Sequence, residues 1–178
     1  VAPEDIRYVV ISHLHVDHAG NLHHFKNAQV IVSEEEFTAT LKAFVTGRGL
    51  DVHVPSDIRH FIDAQLNWRL LRPDEREVEL VPGVTLLNLG SGRSFGMVAM
   101  KVELEHTGPL LVVADAIYFE ENVKPEIQVP GILYDSLGFR RSAQYLLDYA
   151  KRTGAKILYG HDMAQFETLI KSHQGYYD

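Results

Sequence analysis

A short apolar segment is followed directly by four side chains that can bind metal. The apolar segment is residues 8–11, and the cluster is His13, His15, Asp17 and His18. An unbroken apolar run of this length, ended by Ser12, predicts a buried strand. Functional side chains are often carried on loops at the ends of such strands. The pattern therefore predicts a fold whose buried sheet presents this cluster at one edge.

The spacing within the cluster favours two adjacent metal sites. In an extended backbone, side chains two residues apart point the same way, so His13 and His15 can bind one ion while Asp17 and His18 turn towards a second. Imidazole and carboxylate ligands suit Zn²⁺, and also Fe²⁺, Mn²⁺ or Co²⁺. The alternative is a surface loop that is merely rich in histidine.

Length and composition narrow the class of protein. A chain of 178 residues with 46% hydrophobic content can bury a sizeable core, and we expect one domain over residues 1–178. The net charge of −7 argues against nucleic-acid or anionic-membrane partners. The lack of cysteine excludes disulfides and zinc–thiolate sites, and a cytoplasmic location is the default.

Helices are expected after a second strand at residues 28–32. Ser33 and Glu36 form the pattern of a capping box, with Ser33 at N-cap and Glu36 at N3 of a helix that ends at Gly47. A further helix is expected to begin at Pro55 and to extend through Leu66.

Strands separated by Gly- and Pro-containing turns come next, at residues 78–80, 84–89, 97–104 and 110–114. Residues 120–137 lack a helical period, and we expect them to form a wall or lid of a pocket. A helix between Ser136 and Gly154, a strand at residues 155–159 and a closing helix follow. Strands that alternate with outer helices around a meander indicate a layered α/β sandwich.

The chain resembles the metallo-β-lactamase superfamily, and within it the N-acyl homoserine lactone lactonases. The resemblance rests on Ser-His-Leu-His-Val-Asp-His-Ala-Gly at residues 12–20, Ala-Asp-Ala-Ile-Tyr at 114–118 and Gly-His-Asp at 160–162, in this order and separation. It implies the αββα fold. Because members carry a further sheet and substrate-facing segments before the His cluster, we expect the N-terminal part of the domain to be missing from this sequence.

The resemblance also implies a ligand set. Metal 1 would be held by His13 and His15, metal 2 by Asp17, His18 and His161, and both by a bridging Asp115. Two ions held in this way share a hydroxide that attacks the lactone carbonyl. Tyr118 would donate to the substrate carbonyl, so Asp17 and Tyr118 are the expected catalytic residues. Asp162 would either orient a histidine or cap the last helix.

Arg93 departs from the family pattern. Family members place a metal-1 histidine in the bend that corresponds to residues 90–96, and the matching position here is Arg93. A guanidinium offers no lone pair to a metal and keeps its proton. Its charge at about 4 Å from a divalent ion costs roughly 8 kcal/mol even at an effective dielectric near 20. Metal 2 is therefore the more secure site.

Three alternatives follow for Arg93. In the first, it replaces metal 1 as a fixed charge that contacts and polarises the substrate carbonyl of a mononuclear hydrolase. In the second, it points into solvent and metal 1 survives on His13, His15 and Asp115. In the third, hydrolysis has been lost and the domain binds a ligand or partner without turning it over.

The sequence thus predicts a zinc-dependent, quorum-quenching hydrolase that opens the ring of acylated homoserine lactones by attack of a metal-bound hydroxide, with activity impaired by Arg93. The alternatives are hydrolysis of another ester, thioester or phosphodiester on the same fold, and a degenerate ligand-binding protein. The expected partner is a small acylated lactone, and the resemblance favours a homodimer. The remaining histidines are expected to be surface or ordinary structural residues, namely His23, His24, His53, His60, His106 and His173.

Overall fold

The computed structural model describes residues 1–50 and 52–178. Its strands are β1 (Tyr8–Val10), β2 (Gln29–Ser33), β3 (Asn67–Leu71), β4 (Glu77–Val81), β5 (Val84–Gly90), β6 (Met97–Val102), β7 (Leu110–Ala114) and β8 (Lys156–Tyr159). Its α-helices are α1 (Val16–Ala19), α2 (Glu34–Thr46), α3 (Pro55–Asp63), α4 (Ser136–Thr153) and α5 (Met163–Thr168). Short 3₁₀ turns lie at Pro3–Asp5, Leu22–His24 and Glu120–Val123.

The strands form two sheets. β1, β2 and β3 make a parallel sheet in that order, and β4 to β8 make a larger sheet that is antiparallel except for the β7–β8 pair. The sheets meet where the His cluster begins, because the backbone amide of Val98 in β6 donates to the carbonyl of Ser12 at 2.9 Å. This contact brings the end of β1 against the larger sheet.

The alternation of side chains along β2 explains the layers. Ile31 lies in an apolar cluster between the two sheets, whereas Val30 and Val32 face helices α2 and α3, where Phe61 is buried beside them. On the other side, α4 covers the larger sheet with an apolar face that includes Phe139. Burial of each large apolar side chain contributes roughly 1.5–3 kcal/mol to the stability of the fold. The order is therefore helix, sheet, sheet, helix, as predicted.

Several predicted boundaries agree with the structure. Helices α2 and α4 end at Gly47 and Gly154, whose φ angles of 64° and 69° lie in the left-handed region that favours glycine. Strand β7 spans the predicted residues. The other predicted strands shift by one or two residues at their ends, which is the usual uncertainty of a boundary.

Other predictions about local structure were wrong. The helix from Pro55 ends at Asp63 rather than Leu66, and β3 has no counterpart among the predicted strands. The capping box is also absent, because the side chain of Ser33 makes no cap hydrogen bond and Glu36 is fully buried. Glu36 bonds instead to loops of the candidate site.

The segment predicted to be irregular contains only the 3₁₀ turn Glu120–Val123 before α4 begins. Its residues Ile132, Leu133 and Tyr134 line a small pocket together with His15 and Arg93, so part of it forms a wall of the site as expected. In the two described ranges, no helix combines the length and the hydrophobicity needed to cross a bilayer.

Candidate metal centre

The four residues of the His cluster lie at the end of β1 and on the short helix α1. His15 is the N-cap of α1, and Asp17 and His18 lie within the helix. The sequence predicted a loop or extended backbone here. The helical turn provides the same separation in a different way, because it places Asp17 and His18 in a second group with His161 although the ring centre of His18 stays 4.2 Å from that of His13.

Two further candidate ligands come from the parallel pair β7 and β8. The carboxyl ends of parallel strands meet at one edge of a sheet, and there His161 Nε2 lies 3.0 Å from Asp115 Oδ1. Ala114 precedes Asp115 with a φ of 45°, a left-handed conformation that costs a non-glycine residue about 1–3 kcal/mol. Gly160 allows the close approach, because a Cβ at this position would lie 2.5 Å from the Ala114 carbonyl oxygen.

All six sequence-predicted ligands come together in two groups. We call His13, His15 and Asp115 the inner group, and Asp17, His18 and His161 the outer group. Within each group, the potential ligand atoms lie within 4.8 Å of one another. The inner group is buried, whereas the side chains of Asp17 and His161 are 53% and 43% exposed. The centre therefore opens to solvent on its outer side.

Asp115 lies between the two groups. Its Oδ2 is 3.6 Å from His13 Nε2, while its Oδ1 is 3.2 Å from His18 Nε2 and 3.0 Å from His161 Nε2. One carboxylate oxygen thus faces each group, which is the arrangement that the bridging role requires.

The donor atoms fit a divalent metal ion. Among the described residues, the buried atoms His13 Nε2, His15 Nδ1 and His18 Nε2 have no hydrogen-bond partner of suitable geometry, although His18 Nε2 lies 3.2 Å from Asp115 Oδ1. A buried polar atom without a partner is costly. An ion at the inner group would satisfy the first two nitrogens, and an ion at the outer group would satisfy the third. Neutral imidazole is the form that binds metal.

The protonation states of the inner group agree with this fit. Burial, together with the nearby charges of Arg93 and His53, lowers the pKa of His15 to about 3. Burial also lowers the pKa of His13 well below its ordinary value. Burial alone would raise the pKa of Asp115, but the contact with His18 and the neighbouring histidine charges hold it at about 2. At neutral pH both inner histidines are therefore neutral and Asp115 is ionised.

Arg93 lies inside the site rather than in solvent, so the second of the three alternatives does not agree with the structure. Its side chain is 6% exposed, and its Nε lies 3.5 Å from Asp115 Oδ2. The same Nε donates a hydrogen bond to the hydroxyl of Tyr118. The guanidinium carbon also lies 5.4 Å from the centre of the Tyr118 ring, a cation–π contact.

Tyr118 lies beside the outer group, with its ring centre 5.0 Å from that of His161. Burial raises the pKa of Tyr118 to about 12, although the hydrogen bond from Arg93 opposes the rise. The hydroxyl thus stays protonated at neutral pH. The hydroxyl accepts from Arg93, so its own proton can be donated to an oxygen, and a hydrogen bond with Asp115 is among the contacts that raise the pKa of Tyr118.

The sequence analysis missed a buried polar network behind the inner group. Glu36 Oε1 accepts from the Leu14 amide at 2.8 Å and from the Ser94 hydroxyl at 2.9 Å. His53 Nε2 lies 3.3 Å from the same oxygen, and its ring centre is 4.7 Å from that of His15. His53, expected to be ordinary, is thus part of the surroundings of the site. No spacing in the sequence signals this network.

The remaining expectations concern residues outside the two groups. Asp162 caps the last helix, since Oδ1 accepts from the Gln165 amide at 2.8 Å and Oδ2 from the Glu120 amide at 3.0 Å. The other histidines belong to neither group, and four of them are exposed, namely His24, His60, His106 and His173.

The fold and the paired His/Asp groups define a metal-binding α/β sandwich. The model of the metallo-beta-lactamase superfamily matches residues 1–161, so the chain belongs to this superfamily. It is 40% identical over 178 residues to the N-acyl homoserine lactonase AiiB of Agrobacterium fabrum, a match that covers all of this chain and 64% of that protein. It is 32% identical over 163 residues to the lactonase AiiA of Bacillus thuringiensis subsp. kurstaki, covering 92% of this chain and 58% of that protein.

A solved structure gives the same result in three dimensions. An N-acyl homoserine lactone hydrolase with the product N-hexanoyl-L-homoserine bound at its catalytic metal centre matches this chain with a TM-score of 0.81 and 30% identity. The match covers 99% of this chain and 63% of that one. The predicted superfamily and fold are therefore confirmed, and the chain spans less than two thirds of the length of these relatives.

Proposed function

We propose that this chain is the metal-binding part of a hydrolase that opens the lactone ring of N-acyl homoserine lactones. The observation that carries the proposal is the convergence of five His and Asp side chains, with buried imidazole nitrogens available as ligands, around the buried carboxylate of Asp115. The lactone as substrate is supported by the similarity to curated lactonases over the whole of this chain.

The outer group together with Asp115 is the best-supported metal site. His18 and His161 both contact Oδ1 of Asp115, at 3.2 and 3.0 Å, and the exposed side of the group is accessible to a substrate. The mixed imidazole and carboxylate donors favour Zn²⁺, and Fe²⁺, Mn²⁺ and Co²⁺ remain alternatives. When bound, such an ion polarises a carbonyl and lowers the pKa of water towards 7.

The chain's own residues would position the lactone and stabilise developing charge. The lactone would enter over Asp17 and His161, which form the open side of the centre. The Tyr118 hydroxyl would donate to the carbonyl oxygen as negative charge develops there, an interaction of the oxyanion-hole type. The oxygen of one water bonds to the carbonyl carbon, the ring C–O bond breaks and the leaving ring oxygen takes up a proton, which yields an acid and an alcohol; the acid then releases one proton at neutral pH.

Four further expectations from the sequence stay predictions. They are the single domain over residues 1–178, the homodimer, the cytoplasmic location and the absence of nucleic-acid and membrane partners. None is needed for the proposed chemistry.

Proton release in a weakly buffered solution tests the proposed function. With zinc supplied, we expect N-hexanoyl homoserine lactone to be hydrolysed faster than a thioester or a phosphodiester. His161→Ala should lower the rate by at least about 100-fold, the size of effect that loss of a group essential to transition-state stabilisation produces. The exposed His173→Ala is the matched control. Preference for the thioester or phosphodiester would favour the other-hydrolase alternative, and binding of lactone without turnover would favour the degenerate one.

A further inference from the structure

We propose that this centre binds a single divalent ion, in the outer group, and that the guanidinium of Arg93 supplies the fixed positive charge at the inner group. The inference rests on the proposed metal centre. It concerns the number of ions bound, so it can be tested without any substrate.

The two oxygens of Asp115 face different neighbours. Oδ2, which points to the inner group, is 3.6 Å from His13 Nε2 and 3.5 Å from Arg93 Nε. Oδ1 points to the outer group and lies away from the guanidinium contact. The carboxylate oxygen that an inner ion would need is thus already paired with Arg93.

The balance of charge also favours one ion. Two carboxylates, Asp17 and Asp115, belong to the two groups, and one divalent ion neutralises them. The guanidinium remains protonated at any pH that the protein tolerates, so the centre then carries one excess positive charge. A second ion would raise the excess to three in a region where His13 and Arg93 are buried and solvent screens charges weakly.

Arg93 cannot readily swing away from the inner group. It is held by the hydrogen bond to Tyr118 and by the contact with that ring. The bend that carries it is fixed as well, since Ser94 Oγ and the Gly96 amide both donate to the buried carboxylate of Glu36, each at 2.9 Å. Moving the guanidinium into solvent would break these contacts.

The inner group nevertheless keeps donors for an ion. Within the described part of the chain, the buried atoms His13 Nε2 and His15 Nδ1 have no hydrogen-bond partner, so charge rather than lack of ligands excludes the second ion. Removing the charge of Arg93 should therefore restore a second site, and restoring a ligand at the same position should strengthen it.

Metal counting tests the inference. The chain is saturated with zinc, and excess metal is removed by gel filtration. The zinc content per chain is then measured by mass spectrometry. We expect one zinc per chain for the protein as it is and for Arg93→Lys, which keeps the charge. We expect close to two for Arg93→His and more than one for Arg93→Ala. Arg152→His, at an exposed arginine on α4, should keep one.

Cobalt gives a second readout. Neighbouring Co²⁺ ions couple magnetically, and this coupling weakens their EPR signal. The cobalt-loaded Arg93→His variant should therefore show a weaker signal per cobalt ion than the cobalt-loaded unchanged protein. Circular dichroism identifies any variant that fails to fold, and Arg93→Gln then replaces Arg93→Ala as the neutral variant.

Two zinc ions in the unchanged chain would overturn the inference, as would no bound zinc, or one zinc in a folded Arg93→His. The proposed function fails separately. One zinc per chain without turnover of lactones would refute the lactonase proposal and leave the single-ion centre intact.

Discussion

The carboxylate of Glu36 in helix α2 accepts a hydrogen bond from the backbone amide of Leu14 at 2.8 Å. Leu14 lies between the two histidines of the inner group, so this bond fixes the loop that carries them. The other oxygen of Glu36 accepts from the Gly96 amide at 2.9 Å, in the bend that carries Arg93. One buried carboxylate therefore ties together the loop of the His cluster and the bend that carries Arg93, which form the inner side of the centre. Glu36 is separated from Gly96 by 60 positions along the chain and from Leu14 by 22.

Replacing this carboxylate should destabilise the fold. Glu36→Gln keeps the size of the side chain but exchanges one acceptor oxygen for a donor that faces backbone amides. Because hydrogen bonds to a buried charged group contribute about 1.5–3 kcal/mol each, we expect the free energy of unfolding to fall by about 3 kcal/mol. Urea unfolding measures the change. Glu35→Gln, at the exposed neighbouring position, is the control, and an equal loss in both variants would contradict the assigned role.

Gly160 should be sensitive to a single methyl group. A Cβ there would lie 2.5 Å from the Ala114 carbonyl oxygen and 3.1 Å from Asp115 Oδ1. Gly160→Ala should therefore push apart β7 and the loop that carries His161, at a cost of about 1–3 kcal/mol in unfolding free energy, and should weaken zinc binding.

Gly131→Ala is the matched control for Gly160→Ala, because a Cβ at residue 131 has no atom within 4 Å. Zinc titration by calorimetry and urea unfolding of both variants provide the comparison. If Gly160→Ala binds zinc as tightly as Gly131→Ala, the close approach at Ala114 does not determine the geometry of the centre.

Much of the centre could be predicted from where the sequence places its ligands. The His cluster, Asp115 and His161 each follow a recognisable apolar strand, and parallel strands bring their carboxyl ends to one edge. Strand β3 was missed because its side chains are mostly only half-buried and its pattern includes Arg69. The pairing of β3 with β2 is determined by tertiary contacts rather than by a local sequence pattern.

The directions of Glu36 and Arg93 could not be predicted in the same way. Glu36 lies three residues after Ser33, and this spacing is compatible both with a capping box and with hydrogen bonds from Glu36 to distant loops. The amides that decide between these two outcomes come from loops distant in the sequence. For Arg93, the sequence permits both solvent exposure and burial. Only the packing of its bend against Tyr118 and Asp115 decides in favour of burial.

Tyr118 should contribute to the rate rather than to the fold. Tyr118→Phe removes the hydroxyl that accepts from Arg93 and keeps the ring. Loss of one donor to a developing oxyanion lowers kcat by about 100- to 1,000-fold. We expect a decrease in kcat of this size for Tyr118→Phe, with little change in KM or in zinc content. Tyr176→Phe, at a side chain that is 79% exposed, is the control. A rate for Tyr118→Phe within a few-fold of the unchanged chain would remove Tyr118 from the catalytic residues.

Asp135 should make stability depend on pH through the start of helix α4. Its Oδ1 accepts from the amides of Leu137 and Gly138 at 3.1 and 2.9 Å, and its Oδ2 accepts from the Ser91 hydroxyl at 2.7 Å. The backbone hydrogen bond from Gly138, followed by the bond from Ser91, lowers the pKa of Asp135 below its ordinary value of 3.8. A carboxyl group whose pKa is lower in the folded state stabilises the fold above its unfolded pKa, and this stabilisation disappears as the pH falls through the folded value.

Asp135→Ala should therefore lower the thermal midpoint at pH 7, and the difference from the unchanged chain should diminish steadily below pH 4 as the carboxyl group of the unchanged chain takes up its proton. Asp148→Ala, at an exposed position within the same helix, provides the comparison. Thermal unfolding followed by circular dichroism from pH 7 to pH 2.5 measures both. A midpoint difference for Asp135→Ala that is constant over this range would mean that the cap acts without its charge, and would refute the assignment of the lowered pKa to these hydrogen bonds.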